Sequence, residues 1–271
     1  MAGLTDPKKR RCTLLLFLAT SSEDEALRNA ARDRGIALEK FDDPQLGKYY
    51  WLGTVGSETV IAVRPIREGA YVVMGAIGRL GSSARGIRLR EATGARGIVQ
   101  LGMAFGIDPD VQKPCDVLVS SWLIPYDNRE VGPFLDGREG YVVDYSSASR
   151  QPARPALVDL FLRERNRGGY GFRIHVGAVL SGAARIHSRR FRDELVAGVP
   201  RGDAPVVGGE MEGVGLLAAS TAADDPVWCV VKGISDFADE NRDKVIEANR
   251  APACRNAAAF VLSALVNDTK G

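Results

Sequence analysis

The feature that most constrains the fold is a set of near-continuous apolar runs along the chain. They are "CTLLLFLAT" (12–20), "TVIAVRP" (59–65), "GIVQLG" (97–102), "DVLVSSWLI" (116–124), "IHVGAVLSG" (174–182) and "VWCVVKGIS" (227–235). Such runs indicate strands that are covered on both faces, because a strand with one wet face alternates apolar and polar residues. Helical patterns occur at 23–34, 82–94, 154–166, 189–197, 211–223 and 251–267. The order of these elements predicts a three-layer α/β fold.

The 271 residues are enough for a large hydrophobic core. We find no internal repeat and no interdomain linker, so residues 12–271 are predicted to form a single domain. Residues 1–11 are predicted to be a flexible basic tail, and 125–155, rich in Gly, Pro and Asp, is the longest irregular stretch.

Composition argues against several classes of function. The net charge is +2, which does not favour binding to nucleic acid or to a membrane surface. No apolar run is long enough to span a bilayer. The four cysteines are far apart and form no CxxC pair, and the chain has only two histidines, so we expect no metal, no cofactor and a cytoplasmic location.

The stretch "GGEMEGVG" (208–215) places Glu210 and Glu212 around Met211, immediately before an apolar run. An acid in the first turn of a helix is favoured by the helix dipole, which is the simplest explanation of Glu212. A carboxylate also has two acceptor oxygens that suit two neighbouring hydroxyl groups, as on a ribose. The stretch alone leaves both explanations open.

Four motifs in order resemble the nucleoside phosphorylase superfamily. They are "IVQLGMAFGIDPDVQKPCDVLVSSWLIPYDN", "HVGAVLSG", "GGEMEGVGLLAAS" and "VWCVVKGISDFADEN". The resemblance extends over roughly residues 12 to 267, and four motifs at sensible spacing are far more specific than any one. It implies a central mixed sheet, partly closed as a barrel and surrounded by helices. It also implies cleavage of a ribosyl N-glycosidic bond and a homo-oligomer, either a dimer or a hexamer.

The resemblance assigns roles to individual residues. Glu212 would bind the ribose hydroxyls, Met211 would pack against the sugar, and Glu210 would support them. Asp236, oriented by Ser235, would protonate the leaving purine at N7, and an acid there favours purine, probably adenine, over pyrimidine. The alternative from the residues alone is that Ser235 or Asp236 caps a turn.

The resemblance leaves the nucleophile open between phosphate and water. Phosphorylases of the family hold phosphate with Arg and Ser, where this chain has Gln100 and Met103. Without bidentate Arg donors, phosphate binding is weakened. Nucleosidases of the family place a Glu after the first strand to activate water, and Glu23 matches it. Thr20 and Glu23 also form a capping-box pattern.

The remaining predicted site residues are less strongly marked. Ala104, Phe105, Arg185, Ile186 and Phe237 are expected near the base, although core packing is the default for the two phenylalanines. Arg185 can stack on a purine or reach a 5′-phosphate. Tyr126 and Asp127 match a segment near the 5′ end of the substrate in relatives. Several arginines are candidates for a cluster at that end: Arg79, Arg129, Arg185, Arg189 and Arg190.

The sequence therefore predicts a metal-independent nucleosidase that hydrolyses a purine nucleoside or nucleotide. This substrate and further copies of the chain are the only partners that we expect. A nucleotide-depleting effector in antiviral defence is one setting in which similar domains are found. The first alternative is a phosphorolytic purine nucleoside phosphorylase. The second is a nucleotide-binding sensor module that lacks turnover.

Overall fold

The structure is a computed structural model that describes residues 7–68, 71–72, 75–78, 80–134, 136, 139–220 and 226–268. Its strands are β1 (Leu14–Leu18), β2 (Glu39–Asp43), β3 (Gly47–Val55), β4 (Glu58–Val63), β5 (Arg67–Glu68), β6 (Tyr71–Val72), β7 (Gly97–Gly106), β8 (Val117–Pro125), β9 (Glu130–Pro133), β10 (Tyr141–Asp144), β11 (Gln151–Pro152), β12 (Ile174–Ser181), β13 (Val206–Glu210) and β14 (Trp228–Asp236). Its α-helices are α1 (Ser21–Asp33), α2 (Ser82–Thr93), α3 (Pro155–Arg167), α4 (Arg189–Gly198), α5 (Gly213–Leu216) and α6 (Arg242–Val266).

Each predicted apolar run contains a strand, and the strands are buried on both faces as the runs indicate. β1 shows this most clearly, because all five of its side chains are buried. Leu14, Leu16 and Leu18 belong to one core cluster, while Leu15 and Phe17 belong to another. β1 pairs in parallel with β4 on one side and β7 on the other.

The central sheet closes on itself as a five-stranded barrel. β8 pairs with β12, β12 with β13, β13 with β7, β7 with β14, and β14 with β8, which completes the ring. β1, β4, β3 and β2 extend the sheet outward from β7. Helices α1, α3 and α6 pack against one another or against the barrel strands. The predicted α/β fold with a partly closed central sheet is confirmed.

Several predicted element boundaries were wrong. The helix expected at 211–223 is the single turn α5 followed by a 3₁₀ turn at Leu217–Ala219, and 221–225 lie outside the described residues. The helix expected at 251–267 begins at Arg242, so Pro252 lies inside it and not in its first turn. The stretch 125–155 contains the hairpin β9–β10.

The structure also departs from the predicted tail. Residues 1–6 lie outside the described residues, and Pro7–Arg10 form a 3₁₀ turn. Lys9 pairs with Glu39 and Arg10 pairs with Asp43, so residues 7–10 are held against β2.

The strand order brings chemically useful residues to one end of the barrel. β1, β7 and β14 run parallel, so their carboxyl ends lie side by side. The chain leaves β1 into Glu23, and β14 ends at Asp236. β13 ends at Glu210 and pairs with β7 near Phe105. In α/β sheets ligands bind beyond these strand ends, and this is where a site is expected.

Candidate active site

A cavity of about 510 Å³ opens at the carboxyl ends of β1, β7 and β14. This volume is within the roughly 300–1,000 Å³ of typical small-molecule sites. The sequence-predicted residues that line it are Glu23, Ala104, Phe105, Arg185, Ile186, Glu210, Met211, Glu212, Ser235 and Asp236. The fold therefore brings together residues that are up to about two hundred positions apart in the chain.

Glu23, in the first turn of α1, both caps the helix and faces the cavity. Its Oε2 accepts hydrogen bonds from the backbone N–H groups of Ala19 at 2.6 Å and Thr20 at 2.8 Å. Its own N–H donates to Thr20 Oγ1 at 3.4 Å, which completes a capping box. Burial raises the pKa of Glu23 to about 7, with Glu212 adding to the rise and Lys232 opposing it. A carboxyl group with this pKa can exchange a proton near neutral pH.

Gly102 on β7 leaves the space that the Glu23 carboxylate occupies. A Cβ atom at position 102 would overlap the Glu23 side chain, which is itself held by two backbone N–H groups. The absence of a side chain at Gly102 is therefore what allows the carboxylate to lie against the barrel wall.

Lys232 on β14 is the buried centre of a cluster of carboxylates. Its ammonium group lies 2.9 Å from Glu210 Oε2 and 2.6 Å from Glu212 Oε2, and the side chain is only 1% exposed. Burial favours the neutral amine, but Glu210, Glu212 and Glu23 together outweigh it and raise the pKa of Lys232 above its ordinary value. Lys232 is therefore a fixed positive charge among three acids.

The two acids of the "EME" stretch have different surroundings. Glu210 accepts hydrogen bonds from the backbone N–H groups of Glu212 and Gly213, at 2.9–3.0 Å. Burial opposes ionisation of Glu210, but Lys232 and these hydrogen bonds keep its pKa below the ordinary value. Glu212 uses Oε2 for Lys232, and its Oε1 is 3.3 Å from the Gly75 nitrogen. Glu210 thus fixes the turn that carries Glu212 and Met211 into the cavity wall.

Asp236 is the last residue of β14, beside the turn that follows it, and it lines the cavity. Ser235 Oγ lies 2.7 Å from Asp236 Oδ2, and the Ala238 N–H donates to Oδ1 at 2.9 Å. Ala238 has a φ of 51°, a left-handed conformation that is uncommon for residues other than glycine. Arg242 Nε is 3.5 Å from Asp236 Oδ1. These contacts fix the orientation of the carboxyl group, as the predicted role of Ser235 requires.

The predicted base-side residues divide into two groups. Ala104, Phe105, Arg185 and Ile186 line the cavity. Phe237 does not line the cavity. It packs against Gly106 and against a small core cluster that includes Leu118 and Ile234. Arg185 is exposed and makes no hydrogen bond or ion pair with the part of the chain that the structure describes.

Tyr126 and Asp127 also lie outside the cavity lining. The Tyr126 hydroxyl donates to the Ala184 carbonyl at 3.2 Å, and Asp127 accepts a hydrogen bond from the Ala183 N–H at 2.8 Å. Both residues therefore brace the segment that carries Arg185 and do not face the site themselves.

Residues 14–266 match the Phosphorylase superfamily. The chain belongs to the phosphorylase superfamily. The resemblance on which the site residues were predicted is therefore confirmed at the level of the family.

Individual members of the superfamily that resemble the chain are nucleosidases. A 5′-methylthioadenosine/S-adenosylhomocysteine nucleosidase from Mycobacterium bovis is 29% identical over 64% of this chain and 71% of its own length. A death domain-containing ATP nucleosidase from Amphimedon queenslandica is 24% identical over 98% of this chain, which spans half of that relative.

Solved structures of superfamily members show the same fold. A 5′-methylthioadenosine/S-adenosylhomocysteine nucleosidase from Neisseria meningitidis superposes with a TM-score of 0.69 at 18% identity, covering 93% of this chain and 98% of that one. The futalosine hydrolase of Helicobacter pylori gives a TM-score of 0.67 at 21% identity, covering 93% and 96%.

Within this superfamily the positions expected to bind phosphate are occupied differently here. Gln100 is fully buried, and its amide atoms have no hydrogen-bond partner among the described residues. Met103 lines the cavity in place of a hydroxyl donor. Among the described arginines that were proposed for the 5′ end of the substrate, only Arg185 lines the cavity. Arg79 lies outside the described residues.

Sequence reasoning missed three cationic residues of the site. Lys232, Arg242 and Arg250 all line or underlie the cavity, but none was predicted. Lys232 had a usable signal, because a lysine within the otherwise apolar run 227–235 must have a buried partner. Arg242 and Arg250 had no such signal, because the helix predicted from the sequence began at residue 251 and therefore excluded both.

In the part of the chain that the structure describes, no group of three or more His, Cys, Asp or Glu side chains is arranged to hold a metal ion. No described helix is long and apolar enough to cross a membrane.

Proposed function

We propose that the protein is a nucleosidase that hydrolyses the N-glycosidic bond of a purine nucleoside or nucleotide, with adenine as the favoured base. The observation that carries the proposal is that a single cavity presents Glu23, Glu212 and Asp236 from three separate elements. Hydrolysis of such a bond needs a base for water, a ligand for the ribose and an acid for the leaving group. The nucleosidase relatives support the same reaction class.

Each residue has a defined part in the proposed reaction. Glu212 accepts hydrogen bonds from the ribose hydroxyls while Met211 packs against the sugar. Glu23 takes a proton from water as the water oxygen bonds to C1′, and the bond from C1′ to the base breaks. Asp236 gives its proton to N7 of the departing purine.

Lys232 is proposed to make this arrangement of acids possible. Without a cation, three buried carboxylates in one cluster would repel each other and take up protons. The ammonium group of Lys232 is paired with Glu212 Oε2 at 2.6 Å, and it opposes the rise that burial causes in the pKa of Glu23, which is about 7. The proposed reaction uses no metal ion, as predicted from the sequence, because Lys232 supplies the positive charge in the cluster.

Water is favoured over phosphate as the nucleophile by the contents of the site. A buried phosphate needs several charge-assisted hydrogen bonds to offset its desolvation. At the matching positions are Gln100, Met103 and the Glu23 carboxylate, which would repel the anion.

The test is product analysis with and without phosphate. In phosphate-free buffer we expect two products, free adenine and a sugar that carries a hydroxyl group at C1′. Adding phosphate should not increase the rate of base release. The products are resolved by chromatography after incubation with adenosine, methylthioadenosine, AMP and ATP. A sugar 1-phosphate as the main product would establish phosphorolysis, and tight binding without release of base would establish a sensor module.

The pH dependence of hydrolysis should report on Glu23. Protonated Glu23 cannot accept a proton from water, so kcat/KM for adenosine is expected to fall as the pH decreases through about 7. Glu23→Gln, which keeps the capping contacts, should lose about 10²–10⁴-fold at pH 8. Glu25→Gln is the matched control, because Glu25 is exposed and outside this cavity. A wild-type profile that stays flat down to pH 5 would contradict the role of Glu23.

We further propose that the protein works as a homo-oligomer in the cytoplasm. Its four cysteines are free thiols, as expected in a reducing compartment. A role in nucleotide depletion during antiviral defence is supported by the likeness to an ATP nucleosidase that carries a death domain by name. Infection of cells with and without the gene, with adenine nucleotides measured over time, tests that role.

A further inference from the structure

We infer that the substrate carries a 5′-phosphate chain that runs from the active-site cavity into a second, cation-lined cavity. The inference rests on the proposed function and names the class of substrate, a nucleoside 5′-polyphosphate. Two observations carry it: the end of the active-site cavity that remains after the base and ribose are placed, and an adjoining cavity that holds a buried, incompletely satisfied arginine.

The remaining end of the active-site cavity is polar. With the base at Asp236 and the ribose at Glu212, the unassigned lining residues include Thr20, Ser21 and Ser22 at the start of α1, with Asp243, Ile246 and Arg250 on α6. α1 and α6 pack against each other, so these residues form one wall. The Asp243 carboxylate lies 3.4 Å from both Arg242 and His187. A thioether at the 5′ position would need an apolar lining, whereas hydroxyl groups and an arginine suit a phosphate.

Arg250 is available to an anion. It is exposed, and it makes no hydrogen bond or ion pair within the described ranges of the chain. Arg242 contacts Asp236 at the base end and lies eight residues earlier on α6. At 1.5 Å per residue this separates their Cα atoms by about 12 Å, so the two arginines serve different parts of a bound nucleotide.

A second cavity, of about 660 Å³, shares Ser21 with the first. It lies along the outer side of α1 and is lined by four cationic side chains, Arg28, Lys48, Arg64 and Arg85. Its acids are Asp24, Glu25 and Asp42. Asp24 serves both Arg28, at 3.3 Å, and Arg64, at 3.2 Å, so one carboxylate is shared between two guanidinium groups.

Arg85 is the strongest sign that the second cavity accepts an anion. The residue is only 3% exposed, and its Nε has no hydrogen-bond partner among the described residues. Its guanidinium stacks on the Phe17 ring at 4.6 Å and donates to the Arg64 carbonyl, but it forms no ion pair in the described part of the chain. Burial lowers its pKa to about 10, so it remains charged at neutral pH. A buried cation in this state is stabilised by an incoming negative group.

The two cavities together fit a chain of several phosphates. The first phosphate would meet Arg250 and the hydroxyl of Ser21, and the later ones would pass Ser21 toward Lys48 and Arg85. Arginine binds phosphate oxygens through paired hydrogen bonds, and lysine adds a point charge. A polyphosphate therefore gains contacts that a nucleoside or a monophosphate lacks.

The experiment compares adenosine, methylthioadenosine, AMP and ATP as substrates of the intact protein. For the wild type we expect kcat/KM to rise from adenosine to AMP to ATP. Arg250→Gln should lower kcat/KM about 10- to 100-fold for AMP and ATP, since a charged hydrogen bond is worth about 1.5–3 kcal/mol. Lys48→Gln should lower it for ATP more than for AMP. For both variants the loss should be smaller for adenosine, which carries no phosphate.

Matched controls separate these effects from a general loss of positive charge. The control variants are Arg255→Gln and Lys40→Gln. Arg255 is on α6 with Arg250, and Lys40 is on β2, which pairs with β3, the strand that carries Lys48. Both control residues are exposed and lie outside the two cavities. Three outcomes would overturn the inference. The variants could lose kcat/KM equally for adenosine and ATP, they could lose no more than the controls, or the wild type could show no preference for ATP. If no substrate releases base, the proposed function fails, and calorimetric binding of ATP against adenosine to the same variants decides the inference alone.

Discussion

Asp236→Asn is expected to reduce base release by about 10²–10⁴-fold while the protein stays folded, because a group that protonates the leaving base contributes roughly that factor. Asparagine has nearly the same shape: its Oδ1 can accept from the Ala238 N–H, and its Nδ2 can donate to Ser235 Oγ. It cannot deliver a proton to the purine. The measurement is kcat for adenine release, with circular dichroism to confirm the fold.

Asp239→Asn is the matched control for this prediction. Asp239 lies in the same turn, and its carboxylate accepts a hydrogen bond from the Asn241 N–H, but it does not line the cavity. It should therefore keep most of the activity. Near-normal turnover by Asp236→Asn would rule out Asp236 as the acid, and it would leave Glu212 and Glu23 to be tested on their own.

Lys232→Met is expected to lower the free energy of unfolding by about 3–5 kcal/mol at pH 8, since removing one partner of a buried ion pair leaves uncompensated charge. Three acids, Glu23, Glu210 and Glu212, would share a buried region without their cation. The loss should shrink as the pH falls, because protonated carboxylates no longer need a counter-charge. Urea unfolding curves between pH 5 and pH 8 measure both effects.

Lys232→Arg provides the comparison for that change. It keeps the positive charge but alters its shape, so it should recover a substantial part of the stability lost in Lys232→Met. If Lys232→Met unfolds at the same urea concentration as the wild type at pH 8, the cluster does not depend on Lys232. The proposal that the lysine sustains the acids would then be wrong.

The strands of the core were predictable because their signal is local. Five adjacent apolar residues in β1 can only be covered by other elements on both sides, and the structure shows this covering. β13 was not predictable in this way, because "VVGGE" contains two glycines, which usually weaken a strand. Here the missing side chains leave room for the ring and carbonyl oxygen of Phe105 and for the side chain of Leu118, a tertiary requirement that no local pattern reports.

The site was predictable where a motif marked it and not where tertiary contacts made it. Glu212, Met211 and Asp236 were found through motifs, and each lines the cavity. Arg250 was missed because only the packing of α6 on α1 brings it beside Ser21. Tyr126 was placed in the site by resemblance, but its hydroxyl is used by the Ala184 carbonyl.

The double use of Glu23 has a consequence for how related chains can be interpreted. Its carboxylate caps α1 through Ala19 and Thr20, so a chain that has lost hydrolysis still has a reason to keep a glutamate at this position. Retention of that glutamate among descendants is therefore weak evidence of turnover, because selection for a stable helix preserves it as well. Asp236 starts no helix, but its carboxylate also accepts a hydrogen bond from the Ala238 N–H in the turn after β14, so the proposed acid and the proposed base mark turnover only when both are kept.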